Sequence, residues 1–249
     1  MAPEVLWSRQ FRIPGTLTAK DSNPTAYPVL YVHPDDAVSP EVAATRRATA
    51  AVRRIIAAAA NNDAPVAKLE SAATTLEQIA DDLEPHARTS RYEGIGGIKL
   101  GGDNSRILES HPMMGPSNAI APPMKITRDA NQARGTVTYS HQYEGPPGRV
   151  HGGFIAAAFD QVVGAAAALS GQVFFTGSLN VKFFAPTPLH VPLVYEATLD
   201  RVEDRRLHAT GLLRAGDEVT AECEGIFVTV AESTFHEAMS DEAMSNDVA

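Results

Sequence analysis

The order of hydrophobic and polar positions predicts two helices in the first part of the chain. Ser39 and Pro40 open an alanine- and arginine-rich run, which is typical of a capped helix continuing to about Asn61. After Pro65, apolar residues recur at spacings of three and four up to Leu83, which predicts a second, amphipathic helix. We expect the two helices to form a helical-hairpin extension. The arginines of the first helix are expected on exposed faces: Arg46, Arg47, Arg53 and Arg54.

Strands and one long apolar segment follow. Residues 124–129 and 133–143 flank a turn, and four later segments have the pattern of strands: 174–185, 191–203, 206–216 and 219–231. Residues 152–170 predict a helix that is apolar on every side and must therefore be surrounded by protein. This order indicates an α+β fold in which a curved antiparallel sheet wraps around the long helix. Because one sheet leaves part of the helix and a strand edge uncovered, we expect a two-fold dimer.

The remaining segments are interpreted as an arm, a linker and a tail. Residues 1–38 are rich in proline and contain a strand-like piece at 27–34, and residues 85–123 are dense in glycine and proline. The glycines at 94–102 suit a phosphate cradle or a flexible connection, and the absence of a strand–turn–helix context favours the connection. We divide the chain into an extension with its linker, a domain and a flexible acidic tail: 1–106, 107–231 and 232–249.

Composition narrows the class of protein. The net charge of -9 over 249 residues argues against a general nucleic-acid binder. The single cysteine, Cys223, excludes an internal disulfide and is interpreted as a small strand residue in a reducing compartment. The start lacks the pattern of a secretory signal, and no uninterrupted apolar stretch reaches the ~20 residues of a membrane helix. We therefore expect a cytoplasmic protein without membrane insertion.

The long apolar helix contains one candidate for chemistry. Between Phe154 and Leu169 the only ionisable residue is Asp160. Burial of an unpaired carboxylate costs several kcal/mol, or the group binds a proton. Asp160 is therefore either a structural acid, paired with an arginine or capping a loop, or a general base or nucleophile that faces a partly dry cavity.

The helix start offers a second candidate. His151, Gly152 and Gly153 precede or open the helix, whose first turn leaves N–H groups at the positive end of the helix dipole. Such donors suit a carbonyl oxygen that becomes an oxyanion, although an ordinary turn before a helix has the same sequence. Gly152 and Asp160 are eight residues apart, which is ~12 Å along one helix. One carbonyl can contact both groups only if two helices pack antiparallel across a dimer axis.

The sequence resembles a known family at these residues. The stretches YEGPPGRVHGGFIAAAFDQVVG (143–164) and TGSLNVKFFAPTPL (176–189) resemble the hot-dog-fold acyl-CoA thioesterases of the PaaI-like group. They are especially similar to the branch typified by thioesterase superfamily member four, and the resemblance covers roughly residues 107–230. The resemblance implies hydrolysis of acyl-CoA thioesters in fatty acid metabolism, without a cofactor or metal, in a homodimer or a dimer of dimers.

The resemblance also assigns roles to individual residues. Asp160 matches the catalytic acid, and Gly152 matches the residue whose N–H polarises the thioester carbonyl. His151 matches the histidine that helps to order this loop, with contact to the carbonyl as a second role. Thr176 matches a hydroxyl that helps to hold the attacking water, unless it is only a strand-face threonine. Some relatives carry an asparagine where this chain has Gly145, which leaves the carbonyl contact to the backbone.

Binding of the coenzyme A phosphates needs cations near the site. Arg149, Lys182 and Arg201 are candidates, with Arg205 and Arg206 behind them, although the pattern favours an ordinary solvated charge for each. Gly153 and Asn180 are further candidates for substrate binding. The alanines at 156–158 and 165–168 leave space beside the helix, which favours a long or bulky acyl group.

Three other functions remain open at this stage. The fold also suits a non-catalytic protein that binds acyl-CoA or lipid, but the combination of Asp160 and Thr176 argues against it. A hot-dog hydratase pairs its acid with a histidine on the same segment, whereas here His151 precedes the helix and no histidine follows Asp160 within it. The N-terminal helices could also serve structural assembly alone.

Overall fold

The computed structural model describes residues 37–88, 105–122, 124–129 and 131–231. Three expectations lie outside the described residues: the strand-like piece at 27–34, the glycine-rich connection at 94–102 and the acidic tail at 232–249.

The two predicted N-terminal helices are confirmed. Helix α1 spans Pro40–Ala60, and Ser39 caps it by accepting a hydrogen bond from the Val42 N–H at 3.4 Å. Helix α2 spans Val66–Leu83 and ends in a 3₁₀ turn at Glu84–His86. A short helix, α3 at Ser105–Glu109, occupies part of the segment predicted as loop, where the glycine and proline density hid one helical turn.

The predicted strands form one antiparallel sheet of six strands. Their bounds are β1 Lys125–Asp129, β2 Gln132–Val137, β3 Phe174–Phe183, β4 Leu193–Glu203, β5 Arg206–Ala215 and β6 Glu218–Thr229. Their order across the sheet is β1-β2-β4-β5-β6-β3. Strand β3 follows the long helix in sequence but pairs with β6 at the far side. The chain therefore crosses the sheet between β2 and β3, and β3 is left as an edge strand.

The long apolar helix, α4, spans Gly152–Ala167 and continues as a 3₁₀ turn to Ser170. It packs on the concave face of the sheet, with Val162 and Val163 fully buried. Strand glycines let it approach closely: a Cβ at Gly135 would lie 2.8 Å from Val162 Cγ2, and one at Gly211 would lie 3.0 Å from Val163 Cγ1. The predicted arrangement of a sheet wrapped around an apolar helix is confirmed.

The stretch Gly152–Ser170 is long and apolar enough to cross a membrane by composition. In the structure this apolar surface packs against the sheet, and eight residues of α4 are buried. The hydropathy of α4 is therefore explained by its position in the core.

Helix α1 is attached to residues 105–122 through polar contacts. Arg46 Nε donates to Glu109 Oε2 at 3.2 Å, and Ser117 Oγ donates to the same oxygen at 2.6 Å. Arg53 donates to the carbonyl oxygens of Ala121 at 3.0 Å and Asn118 at 2.6 Å. The expectation that all four arginines of α1 are exposed is wrong for these two, because they satisfy a buried carboxylate and loop carbonyls that the sequence pattern does not show.

Helix α2 follows α1 as predicted but does not pack along it as the expected hairpin. Every residue of α2 is exposed, including the apolar stripe that the sequence spacing showed. The connecting residues 61–65 are ordered by Asn62, whose Oδ1 accepts from Ala64 N–H at 3.1 Å and whose Nδ2 donates to Ala59 O at 3.2 Å. This short ordered link holds α2 away from α1.

Candidate active site on helix α4

Asp160 lies in the third turn of α4 and is half-buried in the single chain. Its Oδ1 accepts a hydrogen bond from Thr176 Oγ1 at 2.9 Å, and its Oδ2 accepts one from the neighbouring Gln161 Nε2 at 3.3 Å. In the described part of the chain no lysine or arginine forms an ion pair with Asp160. The structure therefore does not contain the arginine pairing that a purely structural acid would suggest.

A β-bulge directs Thr176 toward the carboxylate. Thr176 pairs with Phe227 and Ser178 with Ile226, so that Gly177 is the extra residue in β3. A Cβ at Gly177 would lie 3.0 Å from Val228 Cγ2 and 3.2 Å from Ile226 O, so a side chain there would be tight and would require these neighbours to shift by a few tenths of an ångström. A glycine inside a strand is the sequence signal for such a bulge.

The start of α4 provides one uncommitted backbone donor. His151 caps the helix, because its Nδ1 accepts a hydrogen bond from the Gly153 N–H at 3.0 Å. The Phe154 N–H donates to His151 O at 3.0 Å, whereas within the described residues the Gly152 N–H has no acceptor. Because Nδ1 is an acceptor, the neutral imidazole of His151 has its proton on Nε2. Gly152 therefore offers an N–H at the positive end of the helix dipole.

A tight loop holds the cap in position. His151 N–H donates to Tyr143 O and Gly145 N–H to Arg149 O, both at 2.9 Å. A Cβ at Gly145 would lie 2.8 Å from His151 Cα, so the backbone of this loop packs directly against the capping residue. The glycine at this position, which departs from some relatives, is thus required by the local packing.

Besides Gln161, two further neighbours of the site were missed by sequence reasoning. The Phe183 ring lies against Gly152, where a Cβ would be 3.3 Å from its Cζ, and this contact joins the end of β3 to the start of α4. The buried Cys223 thiol has its pKa raised to about 12, first by burial and then by the negative charge of Asp160. For the contact between Phe183 and Gly152, the sequence gave one signal, the two adjacent phenylalanines at 183 and 184. Cys223 comes near Asp160 through strand pairing, which has no signal in the local sequence.

The predicted catalytic residues form two groups in one chain. His151, Gly152 and Gly153 are at the start of α4, whereas Asp160 and Thr176 meet more than two turns further along. The eight-residue step within one continuous helix corresponds to ~12 Å, as expected from the sequence.

The structure places most predicted substrate-binding cations away from Asp160. Leu179 and Val181 pack toward the core, so Asn180 and Lys182 project from the opposite face of β3. Lys182 Nζ donates to Glu222 Oε1 at 2.9 Å, and this hydrogen bond raises the lysine pKa.

The predicted arginines differ in position. Arg149 is exposed in the loop before the capping histidine. Arg201 pairs with Glu203 at 2.8 Å, Arg205 donates to Thr229 O at 3.0 Å, and Arg206 is exposed. Arg149 is thus the candidate nearest in sequence and structure to the helix start.

The expectation of space beside the alanines of α4 is wrong for most of them. Ala158 and the alanines at 165–168 are buried against the sheet, where they allow close packing, and only Ala156 and Ala157 are half-buried.

Among the described residues, no group of three His, Cys, Asp or Glu side chains is arranged to hold a metal ion.

A long helix wrapped by a six-stranded antiparallel sheet, with a helix carboxylate hydrogen-bonded to a strand hydroxyl, defines a hot-dog fold of the thioesterase class. The thioesterase superfamily model matches residues 147–224. A crystal structure of a thioesterase superfamily protein is 35% identical and covers 80% of this chain and 98% of its own, with a TM-score of 0.66. The chain belongs to the thioesterase superfamily.

Curated relatives match over a shorter stretch. Acyl-coenzyme A thioesterase THEM5 of Homo sapiens is 37% identical over 87 residues, which is 34% of this chain and 35% of that protein. Acyl-coenzyme A thioesterase THEM4 of Bos taurus is 34% identical over 87 residues, with the same shares. The match thus spans about a third of the length of these relatives.

Proposed function

We propose that the protein hydrolyses acyl-CoA thioesters to the free acid and coenzyme A. The observation that carries the proposal is the half-buried Asp160 carboxylate, which Thr176 orients and no described cation neutralises. The Gly152 N–H at the start of the same helix, which has no acceptor among the described residues, supports it. The names of the curated relatives supply the substrate class.

In the proposed mechanism the thioester carbonyl accepts a hydrogen bond from the Gly152 N–H. Asp160 removes a proton from a water molecule, and the resulting hydroxide attacks the carbonyl carbon. The negative charge that develops on the carbonyl oxygen is stabilised by the N–H at the positive helix end. When the tetrahedral intermediate collapses, the carbon–sulfur bond breaks and coenzyme A leaves as a thiolate, which takes up a proton. Direct attack by Asp160 through an anhydride is the other route to the same products.

The two reacting groups come from different protomers in this proposal. Because Gly152 and Asp160 of one chain are ~12 Å apart along α4, a single chain cannot apply both to one carbonyl. Within the described residues strand β3 is an edge of the sheet, and Phe183 near its end is exposed, which supports a two-fold dimer at this side of the sheet. The two 107–231 domains of a dimer would then form two composite sites. In each site Arg149, near the start of α4, is a candidate to bind a coenzyme A phosphate.

A hydrolysis assay with free-thiol detection tests this function. Asp160→Asn removes the base but keeps the shape and one acceptor for Thr176, so we expect a 10²–10⁴-fold lower turnover with an unchanged melting temperature. The panel should cover acyl-CoA substrates of short, medium and long chain.

The chain provides a matched control for this substitution. Asp200 on the outer face of the sheet accepts a hydrogen bond from Thr210 Oγ1 at 3.1 Å, as Asp160 does from Thr176. Asp200→Asn is expected to keep wild-type turnover. If Asp160→Asn retains turnover on every substrate that the wild type hydrolyses, the proposed chemistry is wrong. Acyl-CoA binding by the wild type without release of thiol would indicate the non-catalytic binding protein instead.

A further inference from the structure

Helix α2 exposes an apolar stripe with the spacing of a coiled-coil seam. Its apolar residues alternate at steps of three and four: Val66, Leu69, Ala73, Leu76, Ala80 and Leu83. All are exposed, and Leu76 and Leu83 are 39% and 59% exposed. A seam of this kind, running over about five helical turns, is typical of a surface that packs against another helix.

One edge of this stripe is acidic. A glutamate directly follows each leucine of the stripe, which places it at the e position of the heptad: Glu70, Glu77 and Glu84. On the other edge, the g positions hold Ala72 and Ile79. None of the three glutamates forms an ion pair with a described residue.

The outward face of α1 has the complementary pattern. Opposite the side on which Arg46 and Arg53 attach α1 to the protein, an exposed seam runs along the helix: Ala44, Ala48, Ala51, Ile55 and Ala58. Its g positions are Arg47 and Arg54, which are exposed and have no carboxylate partner among the described residues. Its e positions are Thr45, Val52 and Ala59, of which Val52 is 41% exposed.

The flanking residues match only when the two helices run parallel. In a parallel pair, g positions of one helix face e positions of the other. In one register Arg47 and Arg54 then face Glu77 and Glu84. In that register Val52 faces Ala72, and Ala59 faces Ile79. In an antiparallel pair like positions meet, which would set the arginines against Ala72 and Ile79, and Val52 against glutamate.

A single chain cannot make the parallel pair. The link at 61–65 spans at most ~18 Å, whereas a parallel return beside α1 requires about the ~27 Å length of α2. The Asn62 hydrogen bonds also fix this link in a conformation that holds α2 away from α1. We therefore propose that α2 docks, parallel, on the outward face of α1 in a second copy of this chain, so that a two-fold dimer contains two such contacts.

This interface is independent of the proposed hydrolysis, and a charge swap between two proteins tests it. One protein carries Arg47→Glu and Arg54→Glu, and the other carries Glu70→Arg, Glu77→Arg and Glu84→Arg. Each homodimer then has like charges at both contacts, whereas the mixed dimer has opposite charges at both. We expect each homodimer to dissociate about tenfold more readily, and the mixed dimer to make up about nine-tenths of an equilibrated mixture by native mass spectrometry.

The control pair alters charges on α2 outside both edges of the stripe. In an equal mixture of the Lys68→Glu and Asp82→Arg proteins, random pairing should make about half of the dimers mixed. A charge-swapped mixture that also contains half mixed dimers would overturn the proposal. The proposal would also be overturned if dimer affinity recovered in a protein that carries all five substitutions but not in the charge-swapped mixture, because that result places the contact within one chain.

A second substitution keeps all native charges. Leu69→Ala with Leu76→Ala shortens the seam without altering a buried residue of the described structure. We expect an increase of at least about tenfold in the dimer dissociation constant with an unchanged melting temperature of the 107–231 domain. An unchanged dissociation constant would contradict docking of this stripe.

Discussion

At the scale of single residues, substitutions of Gly152 can test whether its backbone N–H donates to the thioester carbonyl. It is the first residue of α4, a position at which proline is tolerated because its missing N–H has no helical partner. The preceding His151 has φ -64 and ψ 133, which is the conformation that a following proline favours.

We predict that Gly152→Pro removes the carbonyl donor without disrupting the helix. Turnover should fall by about 10²–10³-fold, as for loss of an oxyanion donor elsewhere. Gly152→Ala is the control, because it adds the same contact to Phe183 but keeps the N–H, and it should retain most of the turnover. Equal turnover of the proline and alanine variants, measured by thiol release, would show that this N–H is not used.

The residues of the site differ in how far sequence could predict them. Asp160 stood out because it is the only charge in an apolar helix, and the pair His151–Gly152 because it precedes that helix. Thr176 was identified only through family resemblance, and the structure places its hydroxyl on Asp160. Gln161 and Phe183 were missed because their contacts depend on side-chain direction and on the approach of β3 to α4, which have no local pattern.

At the scale of elements, close packing between α4 and the sheet depends on glycines. Gly135 in β2 faces α4, where a Cβ would lie 2.8 Å from Val162 Cγ2 and 3.0 Å from Met124 Sδ. Gly164 within α4 differs, because a Cβ there would meet Phe227 at an ordinary 3.7 Å.

These two glycines predict opposite effects on stability. Gly135→Ala should lower the free energy of unfolding by about 1–3 kcal/mol, because the core must shift to admit a methyl group. Gly164→Ala should raise it by about 0.5–1 kcal/mol, because alanine loses less conformational entropy in a helix and has room. Urea denaturation of both variants measures the difference, and a stabilising Gly135→Ala would contradict the tight contact.

The bounds of the elements were largely predictable, but their arrangement was less so. Ser39 and Pro40 marked the start of α1, and alternating residues marked the strands. The position of β3 beside β6 was not predicted, because strand pairing over such a distance in sequence leaves no local signal. For the same reason the sequence could not show that Arg46 and Arg53 attach α1 to residues 105–122.

At the scale of the whole molecule, the proposed catalytic pair and the proposed helix contact both require a second chain. The apolar helix and the uncovered edge predicted a dimer from sequence, and the position of β3 at the edge of the described sheet supports it. Helix α2 adds a separate reason, since its exposed stripe has no partner within the described chain. The two contacts involve different surfaces, so they can be tested separately.

Mixing two inactive proteins tests the central claim most directly. Gly152→Pro lacks the carbonyl donor and Asp160→Asn lacks the base, so each homodimer has two defective sites. In a mixed dimer with composite sites, one site receives both defects and the other receives none. Random pairing makes half of the dimers mixed, and we therefore predict that the mixture regains about a quarter of the wild-type rate. If the mixture, shown to contain mixed dimers, remains as inactive as either protein alone, the two groups do not act across the dimer.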